Sequence, residues 1–323
     1  MAMAMAMATQ VVLVGGHESD GSAALDRFAP RLPHAVALPP GRRLHDAVAT
    51  SLLAGETVVV VPMTFGRDPA MVADTARTLR WIASGHHGHG RPAPRPALAL
   101  ALAAPFGVVD HLPARFRAVA GGVRSVDPQA AVVVAARTGD PFADAELHRI
   151  AHLVRVHGAG VEVAVATVDR DADVAPTLDR LRRLGIERSV VVPAGFAPGL
   201  DVDAALPAFA GMAQAGPLMS DAAVARIVTE RVGAALHDLG HGRDGIAAGL
   251  AADHGHGYAH SHPHDSSRDH HDDHDHDEPT DDRLARPPAA PGTYQLGVTR
   301  WFPESLCTTT DPTTSRSTPV APR

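Results

Sequence analysis

The sequence predicts an α/β protein made of two tandem repeats, each a small parallel sheet flanked by helices, plus a disordered C-terminal tail. Three observations carry this. Short valine-rich runs alternate with amphipathic segments of helical period, the grammar of parallel strands joined by crossover helices. The same order of runs recurs in the second half of the chain. Beyond Gly240 the apolar periodicity stops.

In the first half, Val11 to Val14 is the first strand, ending at Gly15-Gly16-His17, and a helix is expected from Ser22 to Pro30. Ala35 to Leu38 is a short strand and Leu44 to Leu53 a helix. Thr57 to Val61 is a strand closed by Pro62, followed by a helix from Pro69 to Ala83. Ala97 to Ala103 gives the fourth strand, and Pro105-Phe106-Gly107 leads into a helix from His111 to Ala120. In the second half the strands are Ala131 to Ala136, Val161 to Ala166 and Ser189 to Val192, the last closed by Pro193. Helices are expected at Asp144 to His157, Ala175 to Leu184, Asp203 to Ala213 and Asp221 to Leu236. Val61-Pro62 and Val192-Pro193 fall at matching places, as do Pro105-Phe106-Gly107 and Gly216-Pro217-Leu218, which marks a duplication. The repeats are set at residues 9–125 and 129–238, with the tail at 239–323. The alternative is one doubly wound sheet whose elements merely look alike.

Composition removes several function classes. The 323 residues carry a formal charge of −7, against the basic excess that counterion displacement on nucleic acid needs, so no nucleic-acid partner is expected. Every basic side chain counted among Lys and Arg is Arg. One cysteine, Cys307, excludes a disulfide framework, a cysteine-ligated zinc site and an iron–sulfur cluster held by one chain. No run reaches the roughly 20 apolar residues of a membrane helix. The opening Met-Ala repeat lacks the basic region of a secretory signal, so no membrane partner and a cytoplasmic location are expected.

Ligands of an open parallel sheet collect beyond the carboxyl ends of its strands. That rule places His17, directly after the first strand, at the functional edge, together with His111 at the start of the helix after the fourth strand. Arg67, Asp68 and Asp74 follow the third strand, Arg137 and Thr138 the first strand of the second half, and Asp201 its third strand. His86, His87 and His89 come after a helix and before a strand, which assigns them to the opposite end, as a polar loop, with a metal-holding cluster as the alternative.

The residues at that edge resemble the sirohydrochlorin chelatases of the small, class II kind. The family's first strand ends in a Val-Gly-His-Gly-Ser type of motif, and the stretch here is Val14-Gly15-Gly16-His17-Glu18-Ser19, with one residue more. The family's second signature, of the Gly-Arg-Gly-Ser-x-Asp-Pro-x-Ala type, is similar to Ala136-Arg137-Thr138-Gly139-Asp140-Pro141-Phe142-Ala143, one residue shorter. The resemblance spans Val11 to Leu236 and implies two chelatase-like repeats. It departs at one place: the family's second histidine, within a Gly-x-His-x-x-x-Asp pattern, falls on Ala70, whereas Asp74 fits the later acid. Asp201 takes the equivalent place in the second half, and His111, Glu18 and Asp201 are the candidates to substitute for the absent histidine.

The resemblance implies insertion of a divalent ion into a sirohydrochlorin-like tetrapyrrole, a lyase-class reaction. The ion must shed water and two pyrrole protons must leave. A neutral imidazole near pH 7 can ligate the ion or take a proton, and a carboxylate can guide the metal. The candidate catalytic residues are therefore His17, His111 and Asp201, with Arg67 and Arg137 set to meet substrate carboxylates. His17 is expected at the mouth of a groove wide enough for a flat macrocycle. Divalent metal is expected as substrate, Co2+ foremost with Ni2+ or Fe2+ as alternatives, and no organic cofactor. The oligomeric state is open.

The tail adds a second metal signal. His254, His256, His260, His262, His264, His270, His271, His274 and His276 alternate with Asp265, Asp269, Asp272, Asp273, Asp275 and Asp277. Imidazole with carboxylate and no thiolate suits Co2+, Ni2+ and Zn2+. Such composition cannot bury enough apolar surface to offset ordering entropy. The leading expectation is a cobaltochelatase of cobalamin synthesis. Its rivals are a non-catalytic cobalt or nickel storage or delivery protein on a degenerate chelatase scaffold, and an unrelated small-molecule enzyme of similar fold.

Overall fold

The computed structural model of the chain describes residues 9–85, 99–107, 111–203 and 205–252. Two four-stranded sheets, all parallel, have the same strand order displaced by four elements. The first runs β2-β1-β3-β4, from β1 (Thr9–Gly15), β2 (Ala35–Leu38), β3 (Thr57–Met63) and β4 (Leu100–Leu102). The second runs β6-β5-β7-β8, from β5 (Ala131–Arg137), β6 (Val163–Val168), β7 (Ser189–Pro193) and β8 (Met212–Gln214). The helices are α1 (Arg42–Leu53), α2 (Pro69–Ser84), α3 (His111–Val126), α4 (Pro141–Val154), α5 (Ala175–Arg183), α6 (Asp221–Gly240) and α7 (Ile246–Leu250). Both halves therefore carry the one strand order that the recurring sequence grammar predicts.

Unbroken valine runs form these strands because each sheet is buried on both faces. Along β1 and β3, Val11, Leu13, Val59 and Val61 enter a central core that also holds Val132, Val134 and Val192 of the second sheet. The alternate residues Val12, Val14, Val58 and Val60 pack outward under α1 and α2 with Leu44, Val48 and Leu79. Ala131, Val133 and Val191 do the same under α5 with Leu178 and Leu181.

The last helix of each half crosses to the other. α3 packs on α4 and β5, and α6 packs on β3, β4 and the segment after β1. Phe116 and Leu112 of α3 and Val224 and Val228 of α6 all lie in the shared core. Among the described residues the two repeats are thus interlocked halves of one compact unit rather than separately cored domains.

Three elements differ from the sequence expectation. The segment His17–Arg31 winds as 3-10 helix and is interrupted at Asp20, Gly21 and Ser22, all at positive φ. The helix expected at Asp203 to Ala213 is absent: Pro207 lacks the amide a helix interior needs, and Gly211 turns left-handed at φ 75°. A 3-10 turn (Pro207–Phe209) and β8 replace it, with Met212 to Gln214 pairing in register with Ser189 to Val191. Finally, the boundary set at 239 falls inside α6, and the fold continues through α7. There Leu102 N–H donates to the Asp244 carbonyl (2.8 Å), Ile246 is buried among Val58, Val60 and Leu79, and a Cβ on Gly249 would lie 2.3 Å from the Leu102 side chain. A short run with two glycines hid this helix from a pattern reading.

Candidate active site between the two halves

β1 ends at Gly15, and the turn that follows delivers His17 to the loop between β3 and α2. Asp68 is the N-cap of α2, its Oδ1 accepting the Met71 N–H (3.1 Å), with Pro69 in the first helical turn. Its Oδ2 accepts the His17 backbone N–H (3.2 Å) and lies 2.9 Å from His17 Nδ1. Gly16 makes this approach feasible, since a Cβ there would stand 2.0 Å from Asp68 Oδ2.

An ionised carboxylate only accepts, so the short contact assigns the proton of the neutral imidazole to Nδ1 and leaves the Nε2 lone pair free. Nε2 is buried and has no hydrogen-bond partner. It faces Gly139 of the second half, where a Cβ would come within 2.9 Å of it. Burial pushes the Asp68 carboxyl up, but the His17 hydrogen bond and charge and the two backbone amides outweigh it, holding the group below its ordinary value.

Glu18 is 4% exposed. Its Oε2 accepts the Phe65 N–H (2.8 Å) and its backbone carbonyl accepts the Phe196 N–H (2.8 Å), while Oε1 has no partner. Burial pushes the carboxyl up, opposed chiefly by the Arg67 charge. Gly195 must lack a side chain here, because its Cβ would press to 2.3 Å from the Glu18 carbonyl oxygen.

His17 and Glu18 line a cavity with Ala135, Ala136 and Arg137 of β5 and with residues of the loop after β7, from Pro193 to Leu200. Its volume is about 30 Å³, room for about one water molecule. The groove expected to admit a flat macrocycle is therefore not open in this conformation, because the 17–19 turn seats directly on the 194–196 loop.

The other expected site residues divide. Arg137 stays at the cavity, 32% exposed, with Nη2 at 2.9 Å from Asp171 Oδ1 and Nη1 donating to the Asp169 carbonyl (3.0 Å). Arg67 does not face an open cleft. Its side chain is 1% exposed and reaches from the first half to the Ala194 carbonyl and Asp144 Oδ1 of the second, each at 3.4 Å. Lying under the loops that carry His17, it is a cross-link between halves rather than a group presented to substrate. Asp201 is exposed and is not among the cavity-lining residues, although its neighbours Gly199 and Leu200 are. Asp74 is exposed and paired with Arg77. His111 opens α3, and its side chain lies outside the described residues. His86, His87, His89 and the whole His254 to His276 set also lie outside them.

Sequence reasoning missed the roles of Asp68 and Asp144. Asp68-Pro69 is legible as a helix cap, but nothing local marks its second oxygen as the partner of a histidine fifty-one positions earlier. Among the described residues no three His, Cys, Asp or Glu side chains converge enough to hold a metal ion alone. None of the described helices is long and apolar enough to cross a membrane.

No protein-family model and no curated protein matches the chain. Among solved structures it is similar to SirB from Bacillus subtilis with Fe3+, at 15% identity over 74% of this chain and 99% of that one, with a TM-score of 0.44. The sirohydrochlorin chelatase SirB from Bacillus subtilis subspecies spizizenii in complex with cobalt gives 15% identity, the same coverage and a TM-score of 0.40. A periplasmic sugar-binding protein of an ABC sugar transporter from Legionella pneumophila gives 8% identity over 58% of this chain and 70% of that one, with a TM-score of 0.33.

Proposed function

We propose that the chain is a metal chelatase of the sirohydrochlorin type, inserting a divalent ion, Co2+ foremost, into a tetrapyrrole in cobalamin synthesis. The observation that carries this reading is the His17 imidazole: Nδ1 tied to Asp68, Nε2 unpartnered against Gly139 of the other half. A carboxylate behind a histidine fixes its tautomer and raises its basicity toward a metal or a proton. When Nε2 takes up a positive charge, Asp68 at 2.9 Å from Nδ1 stabilises it.

The incomplete ligand set fits transfer better than storage in the folded body. An ion to be handed on has to bind weakly to the protein, because the macrocycle supplies four nitrogens of its own. A storage site instead needs a full protein coordination sphere, and the described residues offer none. Insertion requires the loop from Pro193 to Leu200 to draw back from the 17–19 turn, because the macrocycle is far larger than the present cavity. Arg137, at that rim, then meets a substrate carboxylate by exchanging it for Asp171. His111 and Asp201 remain proposed auxiliaries at the same sheet edge. The histidines from His254 to His276 serve as a tethered collector that raises the local ion concentration.

Ala70 in place of the family's second histidine, together with the narrow cavity, favours a second reading: a cobalt or nickel storage or delivery protein on a degenerate chelatase scaffold. Anaerobic incubation with sirohydrochlorin and Co2+, Ni2+ or Fe2+, followed by the absorbance change of the macrocycle, separates the two. Insertion above the spontaneous rate that collapses in His17→Ala supports the enzyme. Ion binding untouched by His17→Ala, with no rate above background for any ion, rejects it.

A further inference from the structure

The end of α6 brings two imidazoles together, away from the cavity between the halves. His237, in the last turn, and His241, the C-cap, are one helical turn apart and project from the same side. Their ring centroids lie 4.6 Å apart, with planes at 66°. Both residues are exposed, and among the described residues no hydrogen bond or ion pair holds either ring.

The backbone beneath them is fixed. Gly242, at φ 77°, turns the chain left-handed just past His241. Its N–H donates to the Leu239 carbonyl (3.0 Å) and the Arg243 N–H to the Asp238 carbonyl (2.9 Å), the paired bonds of a Schellman ending. The Arg243 guanidinium is drawn onto Asp238 Oδ1, so the cation nearest in sequence is already paired. The carbonyl end of a helix carries partial negative charge, which favours a cation there.

The spacing suits one ion. A ring nitrogen about 2.0–2.1 Å from a metal puts its ring centroid about 3.2 Å from it, so two ligands at a right angle have centroids about 4.5 Å apart. Exposed rings can turn to aim a nitrogen at that point without displacing the backbone. Sequence spacing alone does not give this arrangement. His148 and His152 of α4 are also one turn apart and exposed, yet His152 Nδ1 lies 3.2 Å from Arg155 Nη2. A guanidinium only donates, so it occupies a lone pair that a metal would need.

We propose that His237 and His241 form a two-histidine site for a divalent transition-metal ion at the carboxyl end of α6, with water completing the coordination. Imidazole without thiolate suits Zn2+, Ni2+, Co2+ and Cu2+, and the absence of a carboxylate ligand disfavours Mg2+ and Ca2+. The site uses no residue of the cavity and does not depend on the insertion reading.

The test is nitrogen NMR of the full-length protein with ring-labelled histidine, titrated with Zn2+ at mildly alkaline pH, where imidazole is neutral. The two signals are identified by their loss in His237→Gln and His241→Gln, both surface substitutions. In the wild type the two rings should respond with one apparent affinity. Losing either should weaken the response of the other by at least about tenfold, since the second nitrogen meets an ion that the first has already brought close. The corresponding substitutions at His148 and His152 should show no such coupling. Rings at 237 and 241 that respond with unrelated affinities, or that stay unmoved while other histidines are saturated, overturn the site and leave two separate surface residues.

Discussion

Phe65 and Phe196, each three residues beyond the proline that follows its strand's valine run, stack at 4.7 Å between ring centroids with planes 24° apart. They are equivalent positions of the duplicated halves, and they meet where the halves join. Their amides converge on one residue, Phe65 N–H on Glu18 Oε2 and Phe196 N–H on the Glu18 carbonyl, each at 2.8 Å. Phe28 and Phe106 close around them at 6.3 Å and 5.1 Å from the Phe196 ring. The aromatic cluster and the His17 turn are therefore one mechanical unit.

Phe196→Ala removes a side chain that is 2% exposed and in contact with three other rings. A truncation of this kind costs about 3–5 kcal/mol, transfer and cavity terms together. The expected outcome is a loss of that size in urea unfolding. A loss below about 1 kcal/mol would mean that the halves are not joined through this cluster.

Gly16→Ala acts on the Asp68–His17 pair without replacing either residue. The new methyl would overlap Asp68 Oδ2, and Asp68 is the softer party because Gly16 sits between a strand end and a tight turn. Losing the group that orients a ligating histidine typically costs 10- to 100-fold in metal affinity or activity. Insertion, assayed with sirohydrochlorin and Co2+, should fall by at least about tenfold, while Ala70→Gly in α2 has no such effect. Full activity in Gly16→Ala would show that Asp68 does not set the imidazole.

The fold was legible because period and punctuation agree along most of the chain. Val11 to Val14 and Thr57 to Val61 could be buried strands only, and the paired Val-Pro endings exposed the duplication. Pro207 and Gly211 contradicted a helix locally, yet alanine and leucine around them suggested one. The crossing of α3 and α6 between halves leaves no local trace, since an apolar helix face does not record which sheet it covers. For the site, the rule of strand carboxyl ends found His17 and Arg137. It could not separate Arg67, buried beneath the loops, from an arginine at the rim, because burial is a property of the assembled halves.

The two carboxyls beside His17 respond oppositely to pH. Asp68 has a folded-state pKa below its unfolded value of about 3.9, so its contribution is present above that value and is lost as pH falls through the depressed one. Glu18 has a folded-state pKa above its unfolded value of about 4.3. Its protonated form is favoured in the fold, so its contribution is full below that value and is lost as pH rises through the raised one. Glu18→Gln should therefore gain stability relative to the wild type between acid and neutral pH, while Asp68→Asn should lose ground there. Urea midpoints measured at several pH values check both, and parallel profiles for the two variants would contradict the assignment of opposite shifts.

The C-terminal boundary of the fold makes the last prediction. α7 lies against α2 and β4, with Ile246 at 5% exposure and Asp244 accepting the Leu102 amide. Among the described residues β4 pairs with β3 alone, and the 244–250 stretch covers its flank with apolar side chains. Fully burying a side chain of this size is worth about 1.5–3 kcal/mol. A chain ending after Gly240 should lose at least that much in urea unfolding, whereas one ending after Ala252 should unfold at the wild-type midpoint. If Co2+ uptake stoichiometry falls in both but the insertion rate at saturating Co2+ survives in the longer one alone, the fold and the proposed metal-collecting segment part company at residue 252. Equal stability of the two truncations would place α7 outside the folded unit.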